Sequence, residues 1–337
     1  MKLTFFLIAL GLILIRLSFP HLELWHNGRG QGTMITRSGD NYIQGIWWSG
    51  KVRFSDDERS IAEISPGGYL KFKENDTTLK AESDLQGEIS YTLYNGHEEL
   101  PLNDSGRRFI AAQVRKMIRF GFLADDRAKR IYKKGGVPAL LAELSQIKME
   151  GARQPYLDLL LNADTLTTTQ RIELLQLIDN SDDLGEKQRY LGLFTPAQLR
   201  DSAIAGQWLI TVGHIANDDM ERELLVRYLT RDTDSIAGPA PARLDTILAI
   251  TTRFEDPNER KDVYEKVIAL RGLTGAGWIR LMRGIASLEP DDWKSELLTK
   301  IATVMPSDDS TRAEYRAAAK SIKDDWNYGK AMRALEN

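Results

Sequence analysis

The chain has 337 residues, 42% of them hydrophobic and 28% charged, with a formal net charge of −3. That length can bury a substantial core and accommodates more than one folding unit, and the near balance of charge gives no overall pull toward nucleic acid. With no cysteine in the sequence, disulfides, thiolate metal sites, a cysteine nucleophile and a bacterial lipoprotein anchor are excluded.

Residues 1–20 open with Lys2 and the apolar run Leu3 to Ile15, broken only by Thr4 and Gly11. This is the charged and apolar succession of a secretory signal. No small-x-small cleavage site follows, and the run is shorter than the ~20 residues of a full span. A cleaved signal peptide and an uncleaved signal-anchor extended by a snorkelling Arg16 both fit. A buried helix of a cytoplasmic protein fits less well, because it would carry a polar face. The expected location is the periplasm, with the chain anchored in the inner membrane or secreted after cleavage.

Residues 21–41 are rich in Gly, Ser, Asn and Thr and read as a linker. Gly28-Arg-Gly-Gln-Gly32 lacks the spacing and the strand-turn-helix context of a phosphate loop. Residues 42–103 read as an antiparallel β module of five or six strands. Tyr42 to Phe54 is aromatic and β-branched, with bends or bulges expected at Gly45 and Gly50. Ser60 to Ile64 is a short strand, and Pro66-Gly67-Gly68 supplies a turn. Leu70 and Phe72 share one face of the next strand, with Tyr69, Lys71 and Lys73 on the other. Thr77 to Ser83 and Glu88 to Tyr94 follow around Gly87. Asn95-Gly96 is the strongest hairpin signal, expected as a type I′ turn.

Residues 104–149 form a basic helical connector. Asp104 or Ser105 is the expected cap, and Phe109, Ile110, Val114, Met117 and Ile118 make an apolar stripe. Gly135-Gly136 ends a second helix, and Pro138 suits the first turn of the next, Val137 to Met149. Lys and Arg number 6 against 11 Asp and Glu in residues 41–103, and 10 against 3 in residues 104–134. The plain reading packs the basic flanks against acidic strands. The functional reading makes Arg107, Arg108, Arg115, Lys116 and Arg119 a surface for anionic lipid or an acidic partner.

Residues 150–337 read as an α-helical repeat domain. A phrase returns five times: Ile178-Asp-Asn-Ser-Asp-Asp-Leu184, Ile215-Ala-Asn-Asp-Asp-Met220, Phe254-Glu-Asp-Pro-Asn-Glu-Arg260, Leu288-Glu-Pro-Asp-Asp-Trp293 and Ile322-Lys-Asp-Asp-Trp326. An apolar residue closes one helix, acidic residues follow, and a second helix opens. The apolar anchors lie 37, 39, 34 and 34 residues apart, the period of a two-helix repeat. The acids read as helix caps that answer unpaired N–H groups and the positive helix end. They lack the glycine and spaced oxygens of a calcium loop. Asp232 to Pro241 is the longest loop. Trp208 and Trp278, seven and ten residues before their anchors, read as matching inter-repeat core positions, or as a binding surface on a concave face. The fold class expected is therefore α+β: a small antiparallel sheet followed by an α-solenoid of HEAT-like repeats.

No catalytic pattern accompanies this organisation. The four histidines, at 21, 26, 97 and 214, form no metal-ligand spacing. His214 is expected as a hydrogen-bonded packing residue and His97 as exposed. Neither a G-x-S-x-G elbow nor a P-loop occurs, and Gly272 to Gly277 lies between helices rather than after a strand. No cofactor is implied.

Two stretches carry a resemblance: Trp48-Ser-Gly-Lys-Val-Arg-Phe-Ser-Asp-Asp57 with Ile64-Ser-Pro-Gly-Gly-Tyr-Leu-Lys-Phe72, and Arg127-Ala-Lys-Arg-Ile-Tyr-Lys-Lys-Gly-Gly136 leading into Ala139-Leu-Leu-Ala-Glu143. From residue 42 onward the chain resembles bacterial envelope proteins that join an S-P-G-G-Y-L sheet module to degenerate helical repeats. Related regions are sometimes attached to antibiotic-sensing membrane metallopeptidases. The repeats match only in style, Ser181 to Lys187 being nearest the S-D-Y-E-K phrase of those proteins, and H-E-x-x-H is missing, so no protease activity carries over. The resemblance implies a sensing or scaffolding role. The function expected is a non-catalytic extracytoplasmic scaffold or sensor with an envelope protein partner and no nucleic acid. The alternatives are an envelope-acting enzyme or enzyme subunit, and an anionic-lipid binder working through residues 104–134.

Overall fold

The computed structural model describes residues 31–38, 42–147, 150–163, 166–231, 240–270 and 272–336. Two compact units make up the chain, Met1–Ala163 and Asp164–Asn337. The fold is α+β, a six-stranded antiparallel sheet followed by fourteen helices among the described residues. The expected signal segment, residues 1–20, lies outside the described residues, as do most of the linker and most of the expected loop Asp232 to Pro241.

The strands of the first unit are β1 (Gln31–Ser38), β2 (Tyr42–Ser49), β3 (Val52–Phe54), β4 (Ile61–Ile64), β5 (Tyr69–Glu74), β6 (Thr77–Ser83), β7 (Ile89–Asn95) and β8 (Glu98–Glu99). The large sheet runs β1-β2-β5-β6-β7-β8, while β3 and β4 form a separate hairpin between β2 and β5 in the chain. Strand β1 falls in the stretch that composition assigns to the linker. It pairs with β2 from Gln31 opposite Ser49 to Ser38 opposite Tyr42, so the open edge of β2 supplies a partner that composition does not reveal.

Glycines and turns set the register. Gly50, at φ +86°, breaks Tyr42–Phe54 into β2 and β3. Gly45 forms no bulge; it stays in register opposite Lys73, and the ring of Trp47 occupies the space its side chain would need. Pro66-Gly67 makes the expected turn, with Gly67 at φ +73° and Gly68 N–H donating to the Ser65 carbonyl at 2.8 Å. The β7–β8 loop is Gly96-His97 rather than Asn95-Gly96. Asn95 pairs with Glu98, and only Gly96 has a positive φ, so the type I′ pattern is not formed.

Leu70, Phe72, Leu79, Ala81 and Leu93 are buried on the inner face of the sheet. Against them lies helix α1 (Asp104–Arg119), contributing Ile110, Val114 and Met117 to the same core. Burying three such side chains is worth about 5–9 kcal/mol before the entropy of ordering them. The cap is Asn103, whose Oδ1 accepts from Ser105 N–H at 2.9 Å and Gly106 N–H at 3.2 Å; Asp104 is already helical. Helix α2 (Ala124–Leu144) breaks at Gly136, which has φ +62°, two residues before Pro138. Helix α3 (Glu150–Leu161) packs on α2. The first unit therefore takes in helices that composition divides between a connector and the repeat domain.

In the second unit a first helix begins at residues 168, 202, 241, 275 and 309, and its partner begins 16 residues later, at 184, 218, 257, 291 and 325. The first helices are α4 (Thr168–Asp179), α7 (Ser202–Val212), α9 (Pro241–Thr251), α11 (Gly275–Ala286) and α13 (Asp309–Ala319). The second helices are α5 (Leu184–Leu191), α8 (Asp218–Arg231), α10 (Pro257–Leu270), α12 (Asp291–Ala302) and α14 (Asp325–Glu336); a one-turn helix, α6 (Pro196–Leu199), follows α5. Each first helix packs on the next first helix and each second helix on the next second helix, giving two layers of a helical repeat region.

This alignment corrects two sequence readings. Counting from the helix starts, the buried Ser181, not Ile178, stands where Ile215, Phe254, Leu288 and Ile322 stand. Trp208 is the seventh residue of its helix and Trp278 the fourth, so they occupy neighbouring turns rather than equivalent places. Both positions face the core, and an anchor chosen by hydrophobicity alone slips by one helical turn.

The repeated acids do two jobs. Within a helix start, Asp183 Oδ1 accepts from Gly185 N–H at 2.8 Å and Asp324 Oδ2 from Asn327 N–H at 2.8 Å. Between units, Asp218 Oδ2 accepts from Glu255 N–H at 2.5 Å and Asp256 N–H at 3.1 Å. Asp291 Oδ2 accepts from Lys323 N–H at 2.6 Å and Asp324 N–H at 2.9 Å. One carboxylate thus tethers the loop of the following repeat.

Candidate functional site

An open groove of about 670 Å³ lies on the first unit. Its wall comes from the β3–β4 hairpin through Arg59 and Ser60, from β7 through Tyr91, and from Leu102 and helix α1 through Arg107, Arg108, Ile110, Ala111 and Arg115. Helical spacing explains part of the set: Arg108, Ala111 and Arg115 are three and four residues apart and share a face. Ile110 and Ala111 are only 5% and 7% exposed, whereas Arg59, Arg107, Arg108 and Arg115 are all exposed. The groove therefore has an apolar bed under a rim of four guanidinium groups. Among the described residues no carboxylate lines it.

Neighbouring interactions hold the two walls. Glu58, at φ +58°, is gripped by Arg127, with Nε at 2.6 Å from Oε1 and Nη2 at 3.2 Å from Oε2, and by Arg130 Nη2 at 2.8 Å. Arg127 also donates to Glu143 Oε1 at 2.6 Å and Tyr156 Oη at 3.0 Å. This network binds the hairpin beside Arg59 to α2. Burial would lower the Arg127 pKa, but the bonds to Glu58 and Glu143 outweigh it and raise it. Tyr91 Oη donates to the Ile61 carbonyl at 3.2 Å, and burial pushes its phenol up.

The five basic residues singled out by sequence separate. Arg107, Arg108 and Arg115 line the groove. Lys116 instead pairs with the buried Glu74 of the sheet. Arg119 is exposed, one turn beyond Arg115, and is not a lining residue. Arg107 has one distant partner, Asp104 Oδ1 at 3.9 Å. Among the described residues Arg108 and Arg115 form no ion pair. Sequence reasoning missed Arg59 and Tyr91, which sit on strands or loops far from α1 in the chain and reach the groove only through the sheet topology.

In the second unit, Trp208 and Trp278 are buried, at 2% and 1% exposure. Trp208 Nε1 donates to the Leu191 carbonyl at 3.1 Å, and its ring lies 5.4 Å from that of Tyr228. His214 Nδ1 lies 2.9 Å from Asp179 Oδ2 with its side chain 57% exposed, so it joins units at the surface rather than packing inside.

The two exposed faces of the repeat region differ. Across the second-helix layer, polar and charged groups pair from unit to unit: Gln188 Nε2 donates to Glu223 Oε2 at 2.6 Å, and ion pairs join Arg222 with Glu259 and Asp262, and Lys300 with Glu265 at 3.0 Å. On the first-helix layer, Arg283 of α11 pairs with Glu314 of α13 at 3.0 Å, but the exposed residues of α7 and α9 are small or uncharged, with Ala203, Ile210, Ala242, Thr246 and Ala249 at helical spacing. Ile210 is 50% exposed. An acid-lined groove holds Asp218, Asp219, Glu221, Glu255, Asp256 and Glu259 with Arg253. Among the described residues no group of His, Asp or Glu is arranged to hold a metal ion.

No family model, no curated protein and no solved structure matches the chain. Among the described residues no helix is long and apolar enough to cross a membrane.

Proposed function

We propose that this chain is a non-catalytic binding protein of the bacterial envelope, whose helical repeat region docks another envelope protein. The observation that carries the reading is the difference between the second-helix layer and the α7 and α9 part of the first-helix layer. The second-helix face is occupied by ion pairs between its own repeats, and such pairs resist desolvation. The first-helix face of α7 and α9 presents Ile210 among Ala203, Ala242, Thr246 and Ala249, a surface that loses little on being covered. The sequence resemblance to envelope proteins with a sheet module and helical repeats supports the location, as does the apolar run Leu3 to Ile15.

A photo-cross-linking residue at position 210 or 249 of the full chain in intact cells tests this. A discrete protein adduct is expected from both positions and not from the exposed Lys266 of the other layer. Ile210→Arg should abolish the adduct formed from position 249 without changing the thermal melt. Equal labelling from all three positions, labelling from 266 alone, or none at all would refute the reading.

A further inference from the structure

We infer that the arginine-rimmed groove of the first unit is a binding site for a single-chain anionic amphiphile, a phosphate monoester or carboxylate joined to an apolar tail. This goes beyond the docking function assigned to the repeats and does not depend on it. Three observations combine. The rim carries Arg59, Arg107, Arg108 and Arg115 with no lining carboxylate, and Arg108 and Arg115 are without an ion pair among the described residues. Guanidinium groups offer paired donors that match the oxygens of phosphate or carboxylate. The bed, Ile110 and Ala111, is apolar and lies beneath that rim. The volume, about 670 Å³, falls in the ordinary range of small-molecule sites.

The order of rim and bed also selects among anions. An inorganic phosphate would use the rim and leave the bed bare. A head group in a bilayer would meet the arginines while its tails ran away from the protein, again leaving Ile110 and Ala111 unused. An acidic peptide would supply charge along an extended line rather than at one end. A free amphiphile entering tail first satisfies both parts: the tail covers the bed and the charge stops at the arginines. Exposed Leu102, at 49%, adds apolar surface along the tail. The network that fixes Glu58 places Arg59 opposite α1, so the site exists before the ligand arrives.

The test uses the full chain in detergent-free, bilayer-supported form in neutral phosphatidylcholine and calorimetric titration with hexyl phosphate, which is soluble as a monomer. Saturable one-to-one binding is expected, about tenfold or more tighter than inorganic phosphate or hexanol, since each buried methylene adds to the affinity. Arg108→Gln with Arg115→Gln, and Arg59→Gln alone, should each weaken hexyl phosphate by about tenfold or more, the scale of a lost charge-assisted bond. Arg119→Gln should leave it unchanged. All these side chains are exposed, and unchanged melting temperatures would show that the variants fold. Equal affinity for inorganic and hexyl phosphate would overturn the inference in favour of a simple charged patch. Equal loss in Arg119→Gln would do the same. Binding to phosphatidylglycerol vesicles without hexyl phosphate binding would reassign the surface to a membrane, and tighter binding of hexaglutamate would reassign it to an acidic peptide.

Discussion

Replacing Asp291 by alanine removes one carboxylate and unlinks two repeats. Its Oδ2 accepts from Lys323 N–H at 2.6 Å and Asp324 N–H at 2.9 Å, and its Oδ1 lies 3.1 Å from Lys294 Nζ. Lys294 is 4% exposed and otherwise donates to the Ser321 carbonyl at 3.2 Å. A hydrogen bond to a charged group contributes about 1.5–3 kcal/mol. Lys323 and Asp324 are exposed, so water replaces much of what their amides lose. The buried lysine has no such recourse. The sum is about 2–4 kcal/mol, concentrated in the last unit because repeat stability is local and shared only with neighbours.

Hydrogen exchange with mass spectrometry on the full chain reads this directly. Asp291→Ala should speed exchange in residues 309–336 by about 30-fold or more, with little change in residues 42–144. The same carboxylate gives a pH signature. Burial alone would raise its pKa, but the Asp324 amide, Lys294 and the Lys323 amide outweigh burial and hold it below the ordinary value. A group whose pKa is depressed by folding stabilises fully above its unfolded value, about 3.9, and loses that contribution as pH falls through the lower folded value. Protection of residues 309–336 should therefore be flat between neutral pH and 5, and should fall below about pH 4. Asp291→Asn should lack this site's share of the acid loss. Unchanged exchange in the last unit, or loss spread evenly over both units, would refute the tether.

Arg127→Ala should cost about 2–4 kcal/mol by chemical denaturation, because it removes the partner of Glu143 and of the Tyr156 hydroxyl and leaves Glu58 to Arg130 alone in a half-buried network, and Arg127→Lys should rescue little, lacking the planar fork. Gly284→Ala should cost about 1–3 kcal/mol, since a methyl group there meets the ring and hydroxyl of Tyr264, which is fully buried and whose phenol burial pushes up to about 12. Gly206→Ala, in the equivalent layer with nothing within 4 Å, should instead stabilise by about 0.5–1 kcal/mol. Asn103→Ala should cost about 1 kcal/mol, whereas Asp104→Ala, inside the helix, should be within about 0.5 kcal/mol of the parent; thermal melts distinguish the two capping assignments.

The alternation Tyr69-Leu-Lys-Phe-Lys73, the turn at Pro66-Gly67 and the apolar stripe of α1 were legible along the chain, because each depends on neighbours within one element. So was the two-helix period, since every unit needs the same apolar closure and the same helix start. Sequence alone thus determined the sheet, the helices and the repeat. Tertiary structure decided what these elements share. It put β1 on the open edge of β2 and α1 over the sheet. It moved the first anchor from Ile178 to Ser181 and turned Asp218 and Asp291 from caps into tethers. It also separated Lys116, held by Glu74, from Arg108 and Arg115, and brought Arg59 to them. Helix periodicity gives the face on which an arginine stands, but its partner depends on which strand the topology lays beside that face, and no local pattern encodes that.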